Sequence, residues 1–388
     1  MNLPKKLIAL LLCTAALLPV RAQAVSGEPT YITAESPIER VSLDIATSAG
    51  SAVLLDASGS EVHTLWEQNA DKRRGPASTT KIMTALVAAE KMPLSTKVTI
   101  PKEAVGIEGS SVYLTEGEVF TLEELLCCTL LESANDAATA VAIAVGGSIE
   151  EFAALMNEKC EELGLTDTHF TNPHGLDHDE HYTTARELGV IAAAALENEA
   201  LKKIFSTYKM RVSAPEGGDR LLINHNRLLK SIEGCIGVKT GYTKSNGRCL
   251  VSAAERDGLR LIAVTLDDGN DWHDHTVMLE AGFKTYERVE LCEYTNVILP
   301  EIEVINGEQT RLRTSVTEKV YVTLPKSGAT VECKIECIPS ISAPISRNTD
   351  AGTVIFLSNG KEIARTRIVT AYSVAKKKEK GFWENLFG

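Results

Sequence analysis

The first apolar run, residues 7–20, is unbroken and follows Lys5 and Lys6. It is short for a membrane span and ends at Ala22-Gln23-Ala24, small residues suited to positions −3 and −1 of a cleavage site. Residues 1–24 are therefore expected to be a secretory signal peptide. Residues 25–40 show little periodicity. SAVLLDASGSEVHTLWEQ then alternates about Gly59, as two strands of a hairpin do. Beyond Pro76, the spacing of Ile82, Met83, Leu86 and Val87 predicts a helix starting near Ser78. Helical periodicity recurs over residues 122–131, 136–145, 149–163 and 185–196.

From Cys235 the spacing shortens. CIGVKTGYT, RCLVSAAE and LRLIAVTL read as strands separated by turns at residues 244–247 and at Asp257-Gly258. Residues 272 to about 288 read as a closing helix. Strands at both ends of a helical middle imply an α/β (α+β) domain, an antiparallel sheet with helices packed on it, over residues 25–290. Past Leu291 the runs NVILP, VYVTLP, CKIECI and TVIFL are short, β-branched and broken by Pro, Gly and Asn. They predict a separate small all-β domain over residues 291–374. The tail 375–388, AKKKEKGFWENLFG, places Phe382, Trp383, Leu386 and Phe387 within roughly 140° of a helix circumference beside four lysines. That pattern predicts an amphipathic anchor on a membrane surface.

Composition narrows the class without naming a substrate. Of 388 residues, 44 % are hydrophobic and 24 % charged, a globular profile with length for two or three domains. The net charge of −12 becomes −15 when Lys5, Lys6 and Arg21 leave with the signal segment. So acidic a body predicts no nucleic-acid partner, because phosphate binding needs a basic surface. Eight cysteines follow Cys13. Export and an even count permit disulfides, but several lie in apolar runs such as LLCCTLL, and most are expected to be buried free thiols. There is no C-x-x-C pair and no metal or other cofactor is expected.

Candidate chemistry comes from order and setting. The pattern S-x-x-K occurs four times, at Ser78–Lys81, Ser206–Lys209, Ser358–Lys361 and Ser373–Lys376, so its presence alone says little. Only Ser78–Lys81 opens an apolar helix, where positions i and i+3 share a face. Ser133-Ala134-Asn135 follows at a junction between two helices, and Lys239-Thr240-Gly241 lies later in a strand. In this order and these settings the chain resembles the penicillin-recognising serine peptidases, most closely their low-molecular-mass D-alanyl-D-alanine carboxypeptidase branch. Further runs similar to that branch are residues 170–177 (FTNPHGLD), 181–186 (HYTTAR), 226–229 (NRLL) and 237–243 (GVKTGYT). Ala134 stands where a glycine is common, and Tyr242 where some members carry histidine.

Acyl transfer from a peptide needs a nucleophile, a base, a proton relay, an oxyanion site and a grip on the substrate carboxylate. Ser78 is the expected nucleophile. Lys81 is its base if burial and a neighbouring cation lower its pKa. Ser133 can relay a proton to the leaving amine, and Asn135 can bind a substrate amide as donor and acceptor. Lys239 and Thr240 supply a cation and a hydroxyl for a C-terminal carboxylate, and Gly241 lets a ligand approach the strand. The resemblance implies an oxyanion site from the backbone N–H groups of Ser78 and Tyr242. It also implies peptidoglycan stem peptides ending in D-Ala-D-Ala as substrate, β-lactams as covalent inhibitors, and a place at the outer face of the bacterial cytoplasmic membrane.

Three other readings are weaker. A class A β-lactamase needs a glutamate in an E-x-x-L-N loop, and the segment between Ser133 and Lys239 has none. His169, His174, His178 and His181 cluster in the manner of zinc ligands, but Pro173 and Gly175 break any helix that would align them. A wall-binding protein without catalysis would tolerate damaged motifs, and these are intact.

Overall fold

The computed structural model describes Ile38, residues 41–214 and residues 218–378. The expected signal peptide, and the anchor beyond Lys378, lie outside the described residues.

The polypeptide enters a hairpin, β1 (Ser51–Asp56) and β2 (His63–Gln68), and then α1 (Lys81–Lys91). A short pair, β3 (Lys97–Thr99) and β4 (Val119–Thr121), precedes α2 (Leu122–Leu131), α3 (Asn135–Gly146) and α4 (Ile149–Glu162). Next come α5 (Ala185–Glu197), α6 (Glu199–Ser206), the hairpin β5 (Lys209–Ala214) and β6 (Gly218–Ile223), and α7 (Leu228–Ser231). The strands β7 (Cys235–Thr243), β8 (Gly247–Arg256) and β9 (Leu259–Leu266) lead to α8 (Asp271–Thr285). Side chains cap several helices: Thr121 and Glu124 form a capping box on α2, Ser148 starts α4, and Thr184 starts α5.

The central sheet is antiparallel in the order β2-β1-β9-β8-β7, so its first two strands in sequence close against its last, β9. Alternation along the strands serves two cores. Val53, Leu55, Ile262 and Val264 face the large core built with α1 to α6, whereas Ala52, Leu54, Leu261 and Ala263 face Met278, Leu279 and Phe283 of α8. Burial on both faces is why these strands read as almost continuous apolar runs.

The predicted closing helix ends at Thr285, short of Arg288. Tyr286–Glu290 is instead a strand paired with Tyr321–Pro325, where alternating bulky residues suit a pleat. The remaining β elements include a four-stranded sheet ordered Thr314–Val316, Lys361–Thr370, Asp350–Ser358, Glu332–Cys337 around Leu291, Val354, Phe356 and Ile368. NVILP forms no strand: Asn296 adopts φ 50° and turns the chain after a short helix. The eight described cysteines are free; Cys127, Cys128, Cys160 and Cys249 are buried, and burial pushes the thiols of Cys127, Cys160 and Cys249 up to about 12. Among the described residues no single helix is long and apolar enough to cross a membrane.

Candidate active site

Ser78 occupies a single 3₁₀ turn, Ala77–Thr80, that runs straight into α1. In such a turn residues i and i+3 eclipse, so Ser78 stands directly over Lys81. Two elements hold the turn in place. A Cβ built on Gly241 of β7 would lie 3.1 Å from Pro76 O, Ser78 N and Thr79 N. The missing side chain of Gly241 thus makes room for the protein's own serine turn. On the other side Gly175, at φ +85°, approaches so closely that a Cβ would come within 1.9 Å of Ala77 O. Thr80 Oγ1 and His181 Nε2 share a 2.8 Å hydrogen bond beneath the turn, and Thr84 Oγ1 donates to Pro173 O at 2.6 Å.

Lys81 is wholly buried, with Nζ 3.0 Å from Ser78 Oγ, 2.7 Å from Asn135 Oδ1 and 2.6 Å from His174 O. Asn135 Oδ1 and the His174 carbonyl are pure acceptors. A neutral amine has two hydrogens and one lone pair; giving the hydrogens to these acceptors leaves the lone pair for the serine hydroxyl. Burial first, then the nearby Lys239 cation, hold the pKa of Lys81 well below that of an ordinary lysine, against the opposing pull of Asp136. Sequence predicted a buried lysine beside a second cation. It did not predict the His174 carbonyl, because a backbone acceptor leaves no mark in residue type.

Asn135 begins α3 and also donates from Nδ2 to Glu108 O at 2.6 Å, while its backbone N–H bonds Ser110 O at 2.7 Å. Asp136, in the first turn of the same helix, accepts from Ser111 Oγ at 2.6 Å and Leu114 N at 3.0 Å. A carboxylate at a helix N-terminus is favourably placed, and here it also fastens the loop that forms one lip of the cleft. Arg220 of β6 fastens the same loop from outside through Val112 O, Tyr113 O and a bidentate pair with buried Glu118. Ser133 precedes the helix in a left-handed conformation, φ 59°, and is 5 % exposed.

Ser78, Ser110, Ser133, Thr240, Gly241 and Tyr242 line one cleft of about 350 Å³. The structure therefore brings the three sequence clusters together. Lys239 lies beneath the cleft rather than in its lining; it is 2 % exposed, its amine donates to Thr240 O at 2.8 Å, and burial lowers its pKa to about 7. The cations that do line the cleft are Arg227 and Arg248, over the same Trp272 ring at 5.7 and 5.8 Å. Arg248 binds both oxygens of buried Asp271, at 2.8 and 2.9 Å. The sequence reading includes Arg227 in the run 226–229 but gives neither arginine a role. The hairpin turn at residues 244–247 held the missing signal, since it sets Arg248 directly opposite Tyr242.

The chain matches the family model "D-alanyl-D-alanine carboxypeptidase" over residues 36–270 and the model "Penicillin-binding protein 5, C-terminal domain" over residues 286–376. The D-alanyl-D-alanine carboxypeptidase DacF of Bacillus subtilis is 33 % identical, over 86 % of this chain and 87 % of its own. DacC of Escherichia coli, of the same description, is 32 % identical over 92 % and 90 %. The chain belongs to the D-alanyl-D-alanine carboxypeptidase family. The crystal structure of penicillin-binding protein 5 from Haemophilus influenzae is similar, with TM-score 0.66 and 26 % identity over 87 % of this chain and all of that one. In this carboxypeptidase frame the four clustered histidines do not converge. His174 and His181 are buried neutral with pKa near 3, His169 Nδ1 bonds Glu180 O, and His178 is exposed. Among the described residues no three His, Cys, Asp or Glu side chains form a group able to hold a metal ion.

Proposed function

We propose that the protein removes the terminal D-alanine from peptidoglycan stem peptides through an acyl-enzyme on Ser78. Lys81 takes the proton of Ser78 Oγ as the oxygen attacks the carbonyl between the last two D-alanines. The oxyanion forms between the N–H groups of Ser78 and Tyr242. Ser133 relays the proton to the departing amine, D-alanine leaves, and water hydrolyses the ester. Asn135 orients Lys81 and binds a substrate amide. Thr240 grips the terminal carboxylate with Arg248 beside it, and Lys239 adds positive potential from below. β-Lactams acylate the same oxygen. What carries this reading is the Lys81 amine, dry and 3.0 Å from the Ser78 hydroxyl, with its other two contacts occupied by acceptors.

Ser78→Ala is expected to abolish covalent labelling by a fluorescent penicillin, and Lys81→Ala nearly so with the fold preserved; normal labelling of either variant defeats the assignment. We further propose the division into signal peptide (1–24), catalytic domain (25–290), β domain (291–374) and membrane-surface anchor (375–388), placing the enzyme at the outer face of the membrane. The basic residues and clustered aromatics of the tail support the anchor. Removing residues 377–388 is expected to release active enzyme from membranes, and continued sedimentation with them counts against it.

A further inference from the structure

The strand Glu332–Cys337 is the edge of its sheet, paired with Asp350–Ser358 on one side and, among the described residues, with no strand on the other. It is exposed along almost its whole length. Unpaired edges invite another chain, and exposed edges normally carry features that repel one. This edge carries charges on one face, but they alternate in sign, and its other face is apolar. Cys333, Ile335 and Cys337 project to one face, and Ile335 and Ile338 remain 37 % and 38 % exposed. Glu332, Lys334 and Glu336 project to the other.

A two-fold axis normal to a sheet keeps its faces, so a homotypic antiparallel pairing must centre on a residue. Centring on Lys334 opposes two lysines and sets Glu332 against Glu336. Centring on Glu336 opposes two glutamates. Centring on Cys333 leaves only residues 332–334 of the strand paired. Centring on Ile335 sets Lys334 against the partner's Glu336 twice over, isoleucine against isoleucine, and Cys333 against the partner's Cys337 twice over. Directly opposed residues of an antiparallel pair have Cα atoms about 4.5–5.5 Å apart, inside the range a disulfide spans.

We infer that this edge is a self-association surface, joining two copies of the chain through Glu332–Cys337 with Ile335 on the axis. The free chain already turns Lys334 toward its own Glu336 at 2.6 Å, and the dimer adds the partner's carboxylate to that ammonium. One six-residue strand per copy is a small contact, so the association is weak and reversible.

Sedimentation equilibrium of the purified full-length protein is expected to show a concentration-dependent dimer. Lys334→Glu and Glu336→Lys each place like charges opposite one another and should weaken it roughly tenfold, while the double exchange restores it. These side chains are exposed, and an unchanged calorimetric unfolding profile checks that each variant is folded. Diamide, an azo oxidant that accepts two protons and two electrons per thiol pair, reports the register. It should link the wild type through Cys333 and Cys337 of different copies. It should link neither Cys333→Ser nor Cys337→Ser alone, and should link a mixture of the two. A monomer at every concentration, a double exchange that fails to restore association, or a mapped Cys333–Cys333 bond overturns the inference.

Discussion

Replacing Gly241 with alanine tests how closely the serine turn and strand β7 are fitted. The added methyl would meet Pro76 O, Ser78 N and Thr79 N, all at 3.1 Å, where ordinary contacts begin at 3.4 Å. All three neighbours are backbone, so none can rotate away, and the turn or the strand must retreat by at least the difference. Overpacking of this kind costs about 1–3 kcal/mol, which lowers Tm by roughly 2–10 °C in a domain of this size. A misplacement of about 1 Å costs on the order of 100-fold in rate, so a shift of a few tenths predicts a loss of roughly threefold to tenfold. Stopped-flow measurement of penicillin acylation reads the second effect and calorimetry the first. Gly269→Ala, which meets nothing within 4 Å, should change neither. If Gly241→Ala acylates at the wild-type rate with unchanged Tm, the close fit of turn and strand does not position Ser78.

Two other outcomes follow from charge. Lys239→Gln removes a cation that helps depress the pKa of Lys81, so that pKa rises and the base is protonated over more of the acid range. The acid limb of the acylation profile should move to higher pH, independently of any overall loss of rate; an unmoved limb refutes the coupling. His174, His181 and His275 are buried neutral, with pKa lowered from 6.5 to about 3. The unfolded chain takes up these protons below 6.5 and the native chain does not, so stability is full above pH 6.5 and falls as pH drops toward 3. For His275 alone, between Ser252 and Thr265, the loss from pH 7.5 to 5 is about 2 kcal/mol. Urea unfolding at the two pH values checks it, and equal midpoints for the wild type contradict it.

The parts legible in the sequence were those with local periodicity. Strands β7 to β9 announced themselves by β-branched runs and turn residues, and α2 to α5 by their apolar spacing. The segment from Glu199 to Ile223 went unassigned although Leu201, Ile204 and Phe205 have helical spacing and Asn198 caps Ala200 and Leu201. The signal was there but brief. The expected length of the closing helix failed because Tyr286–Glu290 gains its partner from residues 321–325, too distant for a local pattern to reveal. Within the site, side-chain identities and order were readable. The His174 carbonyl, the clasp between Arg220 and Glu118, and the reason Gly241 lacks a side chain depend on approaches made across the fold.

The three contacts of the Lys81 amine come from three separate stretches of chain: the turn at Ser78, the start of α3, and the loop holding His174. On the proposed mechanism, a copy in which any one of these has docked wrongly has no activated hydroxyl to offer. Covalent capture by a β-lactam therefore counts correctly assembled molecules rather than total protein, and the stoichiometry of labelling becomes a direct titration of the native fraction in any preparation.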